Sequence, residues 1–348
     1  MNQSILRKLT NGHQTLGIEI TDTQIKVCEV QQKGKTDTRI LNYASAPLEE
    51  GIVDDGKIVD KEKLQAALKS VLDSKRFNTK YAHFAIPSQI VMVRSLKLPD
   101  IVNTELKKLV QFEMKNNLSM AFDDPSYDFI KLPKPLAEPS TPAPENANLC
   151  EVLVVAAPTS ILQDYVDIFE HLKLKPCSIE IKPFSLLRLV EWREIRADGM
   201  HVLVNVNELS ADITIIEDGS FKLTRNVEVS FKTVTNASPV EENNTWLSSY
   251  STPEQSFMNA AQDLIAELER LMNFYYYNLN KGERTFSQIW LTGDVPQLEK
   301  LTALLDEGLT PPVSRLEWDS LAVSDDKAAW SVPAYAVPLG LALRGKEA

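Results

Sequence analysis

The feature that most constrains this chain is a strand–turn–strand pattern that occurs twice. The first copy reads Leu16-Gly17-Ile18-Glu19-Ile20, a polar break, then Ile25-Lys26-Val27-Cys28-Glu29-Val30. The second reads Val202-Leu203-Val204-Asn205-Val206, a polar break, then Ala211-Asp212-Ile213-Thr214-Ile215-Ile216. Apolar, β-rich runs on either side of a short polar break specify hairpins. The copies align position for position, with Asn205 where Glu19 stands and Asn207 where Thr21 stands. Two such hairpins, each followed by helical patterns, describe a duplicated α/β design of two lobes, which suits a length of 348 residues. In that design the turns 20–24 and 206–210 face one another across an interlobe crevice, the place where open α/β sheets bind ligands.

The rest of the chain fits around this frame. Residues 39–46 continue the first hairpin, and Asp60 caps a helix with Leu64, Leu68, Val71 and Leu72 on one stripe. The strand 82–86 closes at Pro87. Residues 89–182 read as a separate small α+β unit: strands at 90–96, 127–132, 151–156 and 177–181, a helix capped by Thr104, and a helix over 161–172. Segments 133–148 and 236–251 are expected as exposed loops, because their polar and proline-rich composition buries too little apolar surface to offset ordering. A long helix starts at Thr252, with Pro253 at its first position and Gln255 completing a capping box. A strand at 288–292, a Gly293-Asp294 turn and a leucine-striped helix follow. The resulting division is 14–88 for the first lobe, completed by 330–348, then 89–182 for the insert and 183–329 for the second lobe.

Composition removes several functions. The net charge of −11 without a dense basic cluster argues against nucleic acid as a partner. Three separated cysteines give no disulfide framework or CxxC spacing and suit a reducing cytosol. The opening residues lack the apolar stretch of a signal peptide, and the apolar run 330–343 is too short for a membrane span and carries Pro333 and Pro338. The chain therefore reads as soluble, reaching a membrane only through partners. The four histidines are scattered singly, and no P-loop, GxGxxG, GxSxG or HExxH motif is present, so neither metal nor catalytic chemistry is indicated.

In order along the chain, LGIEITDTQIKVCEV, GIVDDGKIVD, FAIPS, LKLP, CEVLVVAAPTSILQDYVDIFEHLKLKP, KPFSLLRL, IWLTGD and PAYAVPLGLALRG resemble the PilM family of type IV pilus assembly proteins over nearly the whole length. The resemblance implies an α/β, actin-like (ribonuclease H-like, duplicated) fold of the FtsA type, with a small α+β subdomain inserted in the first lobe. It implies a cytoplasmic protein at the cytoplasmic face of the inner membrane. The partner it implies is the cytosolic N-terminal tail of a PilN-like single-span membrane protein, with the assembly ATPase and platform protein as further partners.

The resemblance also brings an ATP–magnesium site, and here the sequence departs. Relatives carry Asp-Ile-Gly in the first turn, where glycine lets backbone amides approach phosphate and the carboxylate holds the metal shell. Here the positions read Glu19-Ile20-Thr21-Asp22, with Lys26 retained. The second turn reads Asn205-Val206-Asn207 followed by Glu208, and the third Gly293-Asp294. Arg270, beside Glu269 on the long helix, stands where relatives approach the nucleoside. An uncompensated carboxylate about 4 Å from a phosphate charge costs roughly 4 kcal/mol at an effective dielectric near 20, so Asp22 and Glu208 weigh against nucleotide unless they point away. With only 12 glycines, the site reads as degenerate, with no cofactor; ATP with magnesium is the alternative. Each candidate also has a plainer reading: Glu19 and Asn205 as turn formers, Lys26 on the solvent face of its hairpin, Glu269 and Arg270 on a solvated helix face. The function indicated is a non-catalytic scaffold, with an ATP-binding switch of the same complex and an actin-like small-molecule kinase as alternatives.

Overall fold

The computed structural model describes residues 13–33, 37–116, 122–132, 148–195, 198–232, 252–317, 322–323 and 331–345. The expected loops 133–148 and 236–251 lie outside these residues except for Asn148, which is exposed.

The first lobe opens with the antiparallel meander β1 (His13–Ile20), β2 (Gln24–Lys33) and β3 (Asp37–Pro47). A two-strand ladder, β4 (Val53–Asp54) and β5 (Lys57–Ile58), leads to helix α1 (Lys61–Ser74). Asp60 caps α1 as expected, its side chain accepting from the Lys63 amide, and Leu64, Leu68 and Val71 face the core. Strand β6 (Tyr81–Ile86) then runs parallel to β1. The insert follows: β7 (Met92–Pro99), α2 (Asn103–Asn116), β8 (Pro125–Lys131) and β9 (Leu149–Pro158), with the antiparallel order β7-β9-β8. Thr104 lies inside α2 rather than capping it, since the helix begins at Asn103.

Helix α3 (Thr159–His171) and strand β10 (Lys175–Ile181) come next. Both belong to the first lobe, not to the insert as the sequence suggested. Strand β10 pairs in parallel with β6, and α3 places Tyr165, Ile168 and Phe169 in the core formed by β1, β2 and α1. The insert is thus one helix on three strands, closing at Pro158.

Helix α4 (Lys182–Trp192) leads to the second lobe, with β11 (Met200–Val206), β12 (Ser210–Glu217) and β13 (Ser220–Glu228) as its meander. Helix α5 (Pro253–Phe274) is capped by Thr252, whose hydroxyl accepts from the Gln255 amide, and it ends in a π turn over Tyr275–Leu279. Strand β14 (Phe286–Gly293), helix α6 (Leu298–Gly308) and strand β15 (Val313–Arg315) complete the lobe, before β16 (Ala322–Val323) returns to pair with β3 and α7 (Val332–Ala342) ends the fold.

The sheets have the orders β10-β6-β1-β2-β3-β16 and β13-β12-β11-β14-β15. Read as β3-β2-β1-β6-β10, the first repeats the second strand for strand and sense for sense. By that equivalence the insert occupies the place of the short β14–α6 turn, and β10 is the counterpart of β15. Helices α4 and α7 lie between the sheets, in a core that joins Cys28, Val30 and Ile40 to Leu203, Ile216 and Trp290. Helix α7 is apolar all round because it is buried all round. The α4–α7 crossing is close enough that a Cβ on Gly340 would stand 2.1 Å from the Ser185 carbonyl oxygen.

Candidate functional site

The duplicated hairpins bring their turns together as expected: Ile20, Thr21, Asp22 and Thr23 face Asn207, Leu209 and Ser210, with Lys182 between them. The gap they leave is about 10 Å3, close to the least space that holds one water.

The first turn satisfies its own backbone. The Thr21 hydroxyl accepts from the amide of Gln24 at 3.0 Å and from that of Thr23 at 3.4 Å, so the amides a phosphate would need are already engaged. Asp22 lines the gap and accepts from the Gly56 amide at 3.0 Å. Burial nonetheless raises its pKa, against the lowering effect of that hydrogen bond and of Lys182. Gly293 is retained for packing: with φ +128 its hydrogen faces the end of β11, where a Cβ would stand 1.9 Å from the Val206 carbonyl oxygen.

Behind the turns lies a buried charge network. Lys26 Nζ is 2.7 Å from Asp294 Oδ2 and 3.4 Å from Glu19 Oε2. Lys182 Nζ is 3.2 Å from Asp212 Oδ2 and 3.8 Å from Glu19 Oε1. Glu19, Lys26, Lys182 and Asp212 are all buried, and the Asp294 side chain is 11% exposed. Burial disfavours both ammonium groups, but Glu19 and Asp294 around Lys26, and Asp212 and Glu19 around Lys182, outweigh it and hold both lysines above their usual pKa. Three carboxylates and two ammonium groups meet here, so the lysines have no surplus positive charge to offer a phosphate. Asn205 Nδ2, both polar side-chain atoms of Asn207 and Asp294 Oδ1 are buried without a hydrogen-bond partner.

The structure therefore joins Glu19, Thr21, Lys26, Asn205, Asn207 and Gly293 in one place. Lys26 is not on a solvent face, because β2 lies between β1 and β3 with both faces covered. Arg270 is not at the site: it is exposed on α5 and pairs with Glu267, and Glu269 is exposed beside it. Lys182 and Asp212 are the residues that sequence reasoning missed, and both carry a signal. A lysine at the first position of a helix opposes the helix dipole, and Asp212 is a carboxylate in the middle of a β-rich, largely apolar run, Ala211 to Ile216.

A second feature lies where the insert meets the first lobe. A cavity of about 350 Å3 is lined by Ile86, Val91, Phe129, Ile130, Ile179 and Phe184, among others. It lies between β8 and β10, each the edge strand of its sheet. Ile130 is 46% and Ile179 37% exposed. At its polar end Glu180 is held by Arg188 at 2.7 Å and Arg344 at 2.8 Å. An adjoining cavity of about 560 Å3 follows Ser88 to Arg94 and reaches Thr224 and Asn226 of the second lobe.

Among the described residues, no helix is long and apolar enough to cross a membrane. A search of curated proteins finds no match. Among solved structures, the chain is similar to one described as the PilM-PilN type IV pilus biogenesis complex, with 22% identity over 96% of this chain and 99% of that one and a TM-score of 0.77. The ethanolamine utilization protein EutJ from Carboxydothermus hydrogenoformans is 14% identical over 95% of this chain and 90% of its own, with a TM-score of 0.50. The fold these likenesses describe is the actin-like one. The family model for type IV pilus assembly protein PilM matches residues 17–346, and the chain belongs to that family.

Proposed function

We propose that this protein is a non-catalytic, actin-like scaffold of a type IV pilus assembly complex, and that it holds the cytosolic tail of a PilN-like membrane protein in the groove between insert and first lobe. The solved PilM relative is a complex with PilN, which supports the choice of partner. The groove supports the mode: an extended peptide adds to an exposed strand edge and drops alternate apolar side chains into a lining such as Ile130, Ile179 and Phe184 provide. Through that partner the protein resides at the cytoplasmic face of the inner membrane, within reach of the assembly ATPase and platform protein.

The observation that carries the scaffold reading is the charge network. Lys26 and Lys182, the cations placed to meet phosphate, are each committed to two carboxylates, and the turns leave a gap of about 10 Å3. These residues do not fit a nucleotide–magnesium pair.

The test is a fluorescence-anisotropy titration with a labelled peptide copying the N-terminal tail of the PilN-like protein of the same genome. Saturable binding is expected, lost in Ile130→Asp without a change in melting temperature and unaltered by ATP and magnesium. Failure of the peptide to bind would overturn the partner assignment. Saturable binding of a fluorescent ATP analogue at micromolar concentration would overturn the scaffold reading in favour of a nucleotide switch.

A further inference from the structure

Lys182 belongs to the buried network, yet it sits among groove residues. Ile181 before it lines both cavities, Pro183 after it lines the larger and Phe184 the smaller. Its Nζ reaches Asp212 of the second lobe at 3.2 Å. The other oxygen of that carboxylate, Asp212 Oδ1, accepts from Asn226 Nδ2 at 2.8 Å, and Asn226 lines the opposite wall of the larger cavity. A continuous chain, Lys182–Asp212–Asn226, thus runs from the corner between β10 and α4 to strand β13. The second lobe also touches the insert directly. Phe221 of β13 packs in one cluster with Leu132 and Leu153, and its ring meets Phe184 at 5.6 Å. The walls of the larger cavity therefore come from three bodies, and the Lys182 chain ties two of them together beside the smaller groove, which Ile181 and Phe184 line.

We propose that Lys182 is a positioning residue for the groove: anchored on Asp212 and Asn226, it fixes the β10–α4 corner against the second lobe and so sets the affinity for an extended peptide that it does not touch. The peptide part of this rests on the partner reading above; the positioning of the corner does not. Lysine as first residue of α4 is set against the helix dipole, which gives the position a cost that the Asp212 and Glu19 contacts offset. Substitutions in a packed network that borders a site without touching its ligand shift affinity by roughly 2- to 30-fold.

The experiment compares wild type, Lys182→Arg, Asn226→Ala and the charge-balanced double variant Lys182→Met with Asp212→Asn, by amide hydrogen exchange and by titration with the same tail peptide. The double variant is expected to exchange faster at residues 181–184 and 223–227 and to bind peptide at least about tenfold more weakly. Lys182→Arg, which keeps charge and reach, should restore both readouts. Asn226→Ala breaks only the last link and leaves the buried lysine in place, so it gives a smaller change in the same direction and serves if the double variant does not fold. Lys61→Met, which removes an exposed ion pair with Asp164, should change neither readout. Unchanged exchange at 181–184 in a folded Asn226→Ala or double variant would overturn the proposal. Absence of peptide binding by wild type would overturn the partner reading alone, since exchange still decides the role of Lys182.

Discussion

Replacing Lys26 by methionine isolates the energetics of the cleft. Methionine keeps the length of the apolar stem and removes only the ammonium, so the change strands Glu19 and Asp294 against each other. Breaking a buried ion pair by removing one partner costs about 3–5 kcal/mol, whereas replacing both partners is often neutral. Two features place this site at the low end. Asp294 is 11% exposed and can recruit water, and Glu19 keeps Lys182 at 3.8 Å. A loss of about 3 kcal/mol is therefore expected. An unfolding entropy of about 2.1 cal/mol/K per residue gives a chain of this length about 0.7 kcal/mol/K, so the melting temperature should fall by about 4 °C if the molecule unfolds in one transition. Adding Asp294→Asn to Lys26→Met removes the stranded charge and should recover more than about 1 kcal/mol. Urea denaturation of wild type, both single variants and the double variant closes the cycle. A loss below about 1 kcal/mol for Lys26→Met, or additive single variants, would refute the claim that these charges form one coupled unit.

Three further predictions test the same region. Gly293→Ala places a Cβ 1.9 Å from the Val206 carbonyl oxygen at φ +128; a loss of more than about 3 kcal/mol is expected in urea denaturation. Gly340→Ala drives a methyl group to 2.1 Å from the Ser185 carbonyl and should separate α4 from α7, seen as faster exchange of both helices and a loss of about 1–3 kcal/mol. The raised pKa values of Lys26 and Lys182 contribute stability that is complete below the unfolded lysine value of about 10.4 and is lost as pH rises beyond it through the folded values. The urea midpoint of wild type should therefore fall more steeply above about pH 10.4 than that of Lys26→Met with Asp294→Asn.

The local signals that survived folding were those whose physics is local. Asp60 and Thr252 cap their helices because a side-chain oxygen and an amide three residues on need nothing else. The hairpins were legible because alternation and a polar break specify them. A lysine on a hairpin has a wet side as far as local sequence goes, and the opposite lobe with Asp294, which covers Lys26, lies far away in sequence. The sequence places the end of the insert too late for a similar reason. Strand β10 follows β9 and α3 directly in the chain, but its pairing partner β6 lies before the insert, and nothing in residues 175–181 names that partner. Arg270 was a position inherited from a family pattern; on this helix its neighbour Glu267 and solvent account for it.

Equivalent positions in the two halves explain how a cleft of this kind closes on itself. Lys26 and Asp212 occupy matching places in β2 and β12, each cross-strand from the matching residues Glu19 and Asn205. Both halves present acidic residues to the cleft, Glu19 from the first and Asp212 and Asp294 from the second, and Lys26 and Lys182 stand among them as internal cations. Here one half contributes Lys26 and its linking helix Lys182, while the other contributes Asp212 and Asp294, so complementary charge crosses the crevice. Buried pairs of this type add little net stability because desolvation cancels much of their attraction, but mispairing them is expensive. Their effect is therefore on registry: any sliding of one lobe over the other would uncouple Lys26 from Asp294 and Lys182 from Asp212 at once. The larger cavity borders both lobes, so a fixed registry keeps its walls, and the β10–α4 corner shared with the smaller groove, in place.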